Sequence, residues 1–219
     1  MAIKAVVFDL GGILEIIPEG DDPTSRYPQM WARWDERLGW EPGALESKLT
    51  VMDERLGAAG KNTMLGTITY AAWLDEVRSA IGWDTATQDA FIEEWWDTYI
   101  GDPNPELAAY FAGLRPRYQT AFLSNSMVGA REREQAARGF EDMADLIVYS
   151  HEVGFLKPDP RIYAITCERL GVQPEDMIFL DNVPGNVAAA RDYGIHAVLF
   201  QDNAQAIAGI AALLAAHSA

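Results

Sequence analysis

Five short apolar runs punctuate the chain, at residues 3–8, 118–123, 145–149, 177–180 and 196–200. Each is continuous in hydrophobicity rather than alternating, the pattern of strands buried on both faces of a parallel sheet. Segments with helical periodicity separate the later runs. In residues 160–170, Ile162, Ile165, Thr166 and Arg169 recur at helical spacing, and Gly171 follows as a stop signal. Residues 185–193 precede Gly194, and residues 204–216 form the last helical pattern. Strands alternating with helices predict an α/β core with a doubly wound parallel sheet.

The stretch between the first two strands differs. From about residue 18 to residue 105 no strand alternation occurs, and helices are predicted over 27–38, 43–56, 70–81 and 87–99. In the third, Trp73, Val77, Ala80 and Ile81 share one face and Gly82 ends it. All seven tryptophans (Trp31, Trp34, Trp40, Trp73, Trp83, Trp95 and Trp96) fall in this insertion. They predict an aromatic core for a small helical unit, with one or two rings free to wall a ligand site. The expected division is a core of residues 1–17 and 104–219 with an insertion at 18–103.

Composition narrows the function classes. A chain of 219 residues, 49% of them apolar, can bury a core and an insertion. Its 17 basic and 33 acidic residues give 17 − 33 = −16. That argues against nucleic acid and against anionic membrane surfaces. An anionic substrate therefore has to be held by local positive groups. The single Cys167 permits no disulfide within the chain and suits a reducing compartment. Residues 1–4 run into a strand without a signal-peptide pattern, and no apolar run reaches the roughly 18–20 residues that span a bilayer. The expectation is a cytoplasmic monomer or homodimer acting on a small molecule. His196 and His217 lack metal-ligand spacing, and neither a phosphate-binding glycine loop nor a dinucleotide fingerprint is present.

Candidate chemistry sits at the element ends. Asp9 precedes Gly11 and Gly12, Ser124 and Asn125 follow the second strand, Lys157 lies before a helix start, and Asp181 and Asn182 follow the fourth strand. Open α/β sheets bind ligands beyond the strands' carboxyl ends, where strand order reverses. If the first and fourth strands are neighbours, Asp9 and Asp181 face each other there. Facing carboxylates repel unless a cation lies between them, and Mg²⁺ is the expected one. Asp9 can act as a nucleophile, with Ser124, Lys157 and nearby backbone N–H groups around a phosphoryl group. Gly11 and Gly12 would let the backbone approach it.

Residues 6–14 (VVFDLGGIL), 122–126 (FLSNS), 153–163 (VGFLKPDPRIY) and 178–194 (IFLDNVPGNVAAARDYG) resemble the haloacid dehalogenase-like superfamily. Residues 66–69 with Trp73 are similar to the helical cap of one branch, which includes the phosphatase domain of soluble epoxide hydrolases and related sugar-phosphate phosphatases. The resemblance implies a Rossmann-like core with an all-helical cap inserted after the first strand. It implies Asp9 as nucleophile, with Ser124 and Lys157 as catalytic and phosphate-binding partners. Gly11, Gly12 and Asn125 would join them in binding substrate, and Mg²⁺ would lie near Asp9, the Gly11 carbonyl, Asp181 and Asn182. The activity it implies is a Mg²⁺-dependent phosphatase of a small phosphorylated metabolite, working through a phospho-aspartate.

Two residues depart from that pattern. Gly11 stands where the family usually has a second aspartate serving as general acid and base, a loss that costs about 10²–10⁴ in rate. A good leaving group tolerates it, and Glu15 or His151 are candidate substitutes. Asn182 stands where an acidic metal ligand is common. The two changes remove two negative charges and weaken the expected metal site. They leave two alternatives: a metal-independent dehalogenase using the same Asp9, and a catalytically silent ligand-binding protein. The chain lacks the Tyr-Gly-Thr-Leu-like sequence and the later Ser-Asn pattern of the dehalogenases. Retention of Asp9, Ser124, Lys157 and Asp181 together argues against silence.

Overall fold

The computed structural model describes residues 2–16 and 26–217. Strand β1 (Ala5–Phe8) leads through a tight loop to β2 (Glu15–Ile16). Four helices follow: α1 (Arg26–Leu38), α2 (Ala44–Ala58), α3 (Tyr70–Ile81) and α4 (Thr85–Ile100). After them come β3 (Asp102–Pro103), α5 (Pro105–Leu114), β4 (Gln119–Ser124), α6 (Ala130–Arg138), α7 (Phe140–Met143), β5 (Leu146–Tyr149) and α8 (Ser150–Val153). The chain continues with α9 (Pro160–Leu170), a 3-10 turn at Pro174–Asp176, β6 (Met177–Asp181), α10 (Pro184–Asp192), β7 (His196–Leu199) and α11 (Asn203–Ala216).

The large sheet has the order β5-β4-β1-β6-β7, with every pairing parallel. Phe8 lies level with Phe122 on one side and Leu180 on the other. Asp9, Ser124 and Asp181 therefore leave the sheet at the same edge. The first and fourth predicted strands are neighbours, so strand order reverses between β1 and β6, where this architecture binds ligands. Alternation sends Phe8, Phe122 and Leu180 to the face covered by Phe111 and Ile210. It sends Val7, Leu123 and Phe179 to the face covered by Ile162, Tyr163 and Val187.

The predicted helices are present, with ends set by caps. Helix α4 begins at Thr85 rather than residue 87 because the Asp84 side chain accepts from Thr87 N at 2.7 Å. Thr69 caps α3 through Ala72 N, and Gly82 ends it at φ +80°. One feature escaped the pattern of the insertion: β2 and β3 pair antiparallel as two-residue strands, too short for alternation to register.

Helices α1–α4 share a core of Met30, Trp34, Val77, Phe91 and Trp96, continuous with Met127 and Val128 after β4. Trp34 lies 5.3 Å from Phe91 and 5.8 Å from Trp83 between ring centroids, and its indole N–H donates to Glu94 at 2.8 Å. The cap rests on the strand-end loops. Val128 N–H donates to the Thr63 carbonyl at 3.1 Å, and Ser150 Oγ donates to the Met64 carbonyl at 2.8 Å. Gly66 has φ +65°, and a Cβ there would lie 2.0 Å from the His151 carbonyl oxygen. Only glycine allows this approach. Among the described residues no helix is long and apolar enough to cross a membrane.

Trp34 is 1% exposed. Trp34→Ala should cost about 3–5 kcal/mol in denaturant unfolding, as large-to-small core changes do; an unchanged midpoint would show that the tryptophans do not carry the cap core.

Candidate active site

At the reversal point a cavity of about 240 Å³ is lined by Asp9, Gly11, Glu15, Tyr99, Ser124, Asn125, Ser126, Glu134, Lys157, Asn182, Val183 and Asn186. Lys157 organises one end of it. Its ammonium lies 2.8 Å from Asp9 Oδ1, 2.8 Å from Asp181 Oδ2 and 2.9 Å from the Leu123 carbonyl oxygen. An ammonium has three donors, and here three acceptors surround it. The cation between the two facing carboxylates is thus Lys157 itself, where the sequence led us to expect a metal. The physical reason is reach: the loop before α9 brings a four-carbon stem under the sheet edge, and the ammonium bridges both carboxylates.

Asp9 is held in one orientation. Its Oδ1 accepts from Leu10 N–H at 2.8 Å, in addition to the Lys157 pair. Burial pushes its pKa up from 3.8 to about 6, against the downward pull of Lys157 and with a smaller push from Asp181. Its Oδ2 accepts no hydrogen bond from the described residues.

Asp181 is fully buried and does not line the cavity. Its Oδ1 accepts from Val183 N–H at 2.7 Å, Asn186 donates to both oxygens at 3.2 and 3.1 Å, and Lys157 takes Oδ2. These contacts place it as an anchor for Lys157 rather than as a group turned to a ligand. Asn125 makes a reciprocal pair with the backbone of Lys157: its Nδ2 donates to the carbonyl at 2.9 Å and its Oδ1 accepts from the N–H at 2.8 Å. Ser124 Oγ lies 2.8 Å from Ser126 Oγ.

Gly12, expected at the ligand, does not line the cavity. Its N–H donates to the Glu15 carbonyl at 2.7 Å, and a Cβ on its left-handed backbone (φ +74°) would lie 2.2 Å from Asn182 Nδ2. His151 is likewise outside, its Nδ1 at 2.9 Å from the Ser126 carbonyl oxygen. Glu15, the other candidate substitute, does line the cavity. Sequence reasoning missed Tyr99, Ser126, Glu134, Val183 and Asn186. Ser126 and Asn186 lie within the quoted motifs and so were within reach. Glu134 sits on a polar helix and Tyr99 on an aromatic one, where no local signal marks them.

Among the described residues no group of three or more His, Cys, Asp and Glu side chains is arranged to hold a metal. Asp9, Gly11 and Asn182 all line the cavity and can offer a carboxylate oxygen, a backbone carbonyl and an amide oxygen. That all-oxygen set fits a hard cation such as Mg²⁺, with one negative charge to hold it.

The residues 3–194 match the family model of the haloacid dehalogenase-like hydrolases, and the chain belongs to that family. Its core is the Rossmann-like fold of these enzymes, with helices over the site. It is 26% identical over 216 residues to Phosphatase MT3486 of Mycobacterium tuberculosis, covering 96% of this chain and 93% of that protein. It is also 26% identical over 206 residues to an (S)-2-haloacid dehalogenase of Xanthobacter autotrophicus, covering 88% and 72%. Bifunctional epoxide hydrolase 2 of Sus scrofa is 25% identical over 220 residues; the match takes in 94% of this chain but 38% of that protein's length. In fold the chain is similar to a HAD family enzyme of Bacteroides thetaiotaomicron solved in complex with magnesium and inorganic phosphate. The TM-score is 0.70 at 22% identity, over 91% of this chain and 95% of that one.

Two predictions follow from the buried charges. Lys157→Met strands two buried carboxylates and should cost about 3–5 kcal/mol in denaturant unfolding, part of which the added Asp181→Asn change should restore. Wild-type stability in the single variant would contradict the clamp. Burial, opposed by the Tyr149 hydroxyl and reinforced by Asp9, raises the Glu134 pKa from 4.5 to about 8. The unfolded chain gives up this proton near 4.5 and the folded chain only near 8. Folded protein thus holds the extra proton in between, and stability falls as pH rises through that window. Unfolding free energies from about pH 5 to pH 8 should decline less steeply in Glu134→Gln; an equal slope would show that the group does not carry the effect.

Proposed function

We propose that this hydrolase is a phosphatase of a small phosphorylated metabolite, with Asp9 as its covalent nucleophile. The observation that carries the reading is the state of the Asp9 carboxyl group. One oxygen is fixed by Leu10 N–H and Lys157, while the other accepts no hydrogen bond from the described residues, on a cavity also lined by Ser124 and Asn125. In this scheme Asp9 Oδ2 forms a bond to phosphorus as the bond to the leaving oxygen breaks, and that oxygen takes a proton from solvent. Water then attacks phosphorus and returns a proton to solvent as the Asp9–phosphorus bond breaks, releasing inorganic phosphate and the free carboxylate. Lys157 keeps Asp9 ionised and aimed, Ser124 Oγ donates to a phosphoryl oxygen, and Asn125 fixes the loop that carries Lys157.

Charge supports a cation requirement. Asp9, Asp181 and Lys157 sum to −1, a poor receptor for a phosphate dianion. Bound Mg²⁺ would supply the missing positive charge, held by Asp9 Oδ2, the Gly11 carbonyl and Asn182. The reading divides the chain into a catalytic core of residues 1–17 and 104–219 and a cap of residues 18–103 that closes over it.

Phosphate release from a generic aryl phosphate should require added Mg²⁺ and fall at least ~10³-fold in Asp9→Asn. Full activity in that variant would remove the nucleophile from the scheme. Asn182→Asp should tighten the Mg²⁺ activation constant about tenfold by adding a second anionic ligand; an unchanged constant would move the metal away from Asn182. One observation favours a second reading. Lys157 already bridges the carboxylate pair without a metal, which suits attack of Asp9 on carbon, as in a dehalogenase. Halide release that persists in chelator, with no phosphate release in Mg²⁺, would select it.

A further inference from the structure

Part of the cavity lining is idle in this scheme: Glu15, Glu134, Tyr99 and Ser126. The two carboxyl groups there are 2% and 1% exposed. Glu134 accepts a hydrogen bond from the Tyr149 hydroxyl. Glu15 is set in place by its backbone, which accepts from Gly12 N–H and pairs with Pro103 of β3. Its Oε1 is buried without a hydrogen-bond partner among the described residues. Among the described residues no lysine or arginine lies within ion-pair distance of either carboxyl group. Arg138 is close enough to lower the Glu15 pKa, but its Nη2 is spent on the Gly101 carbonyl at 2.6 Å.

A buried acceptor left unmatched costs about 1–3 kcal/mol. Here that cost is carried on the wall of the cavity that holds the reactive Asp9 oxygen. A donor arriving with the ligand would recover it. The cavity is also small, below the roughly 300–1,000 Å³ of drug-sized sites. It therefore has room for a phosphoryl group and a short leaving group, and Glu15 and Glu134 share its wall.

We propose that Glu15 and Glu134 form a leaving-group subsite that selects phosphate esters of small polar alcohols. Those alcohols carry a hydroxyl or ammonium donor beside the ester oxygen, and alkyl esters are disfavoured. The inference rests on the phosphatase reading and gives it a substrate class. Burial pushes both carboxyl groups above the ordinary carboxylate range, with repulsion from Glu134 added at Glu15 and from Asp9 at Glu134. The unmatched Glu15 Oε1 can accept from a hydroxyl or an ammonium, and Glu134 lines the same cavity.

The test is affinity in the Asp9→Asn protein with Mg²⁺, which binds ester without turning it over, by calorimetry with glycerol 3-phosphate, ethanolamine phosphate and butyl phosphate. One or both polar esters should bind about 10–100-fold more tightly than butyl phosphate. Adding Glu15→Met should bring that ratio to within about threefold. If that protein does not fold, Glu134→Met should lower the ratio in the same direction. Glu15→Gln separates the two donors: it keeps a hydroxyl preference and loses an ammonium preference. Equal affinity for the three esters, or a preference that survives Glu15→Met and Glu134→Met, would overturn the subsite. Phosphate release by the wild-type protein is measured in parallel. An affinity preference without any release would leave the subsite standing and overturn the phosphatase reading instead.

Discussion

The structure around the sheet edge depends on one buried ammonium. Lys157 lies 2.8 Å from each of two carboxylates that the register of β1 and β6 forces together. Without it, Asp9 and Asp181 would be like charges in a low-dielectric setting, an arrangement a protein avoids by protonating one of them. With it, Asp181 becomes a fixed counter-charge and Asp9 an aimed one. The remaining contacts serve that clamp. Asn125 pins the backbone of Lys157, and Asn186 and Val183 pin Asp181. Among the described residues none donates to the other Asp9 oxygen, and that asymmetry sets this carboxylate apart from a purely structural ion pair.

The clamp also sets what the site cannot do alone. Its sum of −1 opposes a phosphate dianion, and the chain's −16 gives no compensating attraction from a distance. Gly11 and Asn182 each replace an expected carboxylate with a neutral oxygen. The carboxylic acids that remain, Glu15 and Glu134, stand on the same cavity but hold protons because burial penalises their charge. The cavity thus separates an ionised carboxylate from neutral acids by environment alone, the same principle that assigns different roles to paired carboxylates elsewhere.

Much of this was legible in the sequence, for identifiable reasons. A strand buried on both faces is an uninterrupted apolar run, so β1, β4, β5, β6 and β7 announced themselves, and glycine stops bounded α3 and α9. Asp9, Ser124 and Asp181 were readable because a parallel sheet presents the residues after its strands at one edge. Two things were not. The partner of a charge is a matter of three-dimensional reach: nothing in Leu-Lys-Pro-Asp-Pro tells that the lysine sits between the carboxylates. Side chains contributed by helices are equally silent, because Glu134 on α6 has the look of any solvated helix acid until packing buries it. Gly12 shows the converse, a residue assigned to the ligand that in fact makes room for Asn182.

The central claim is that the free oxygen of Asp9 bonds covalently to phosphorus during turnover. Acid quenching of the enzyme with a substrate ester, followed by peptide mass spectrometry, tests it most directly. The account predicts one phosphoryl group on the peptide containing Asp9, present in the wild-type protein and absent from Asp9→Asn. Steady phosphate release with no adduct on that peptide at any quench time, or an adduct on a different residue, would contradict it.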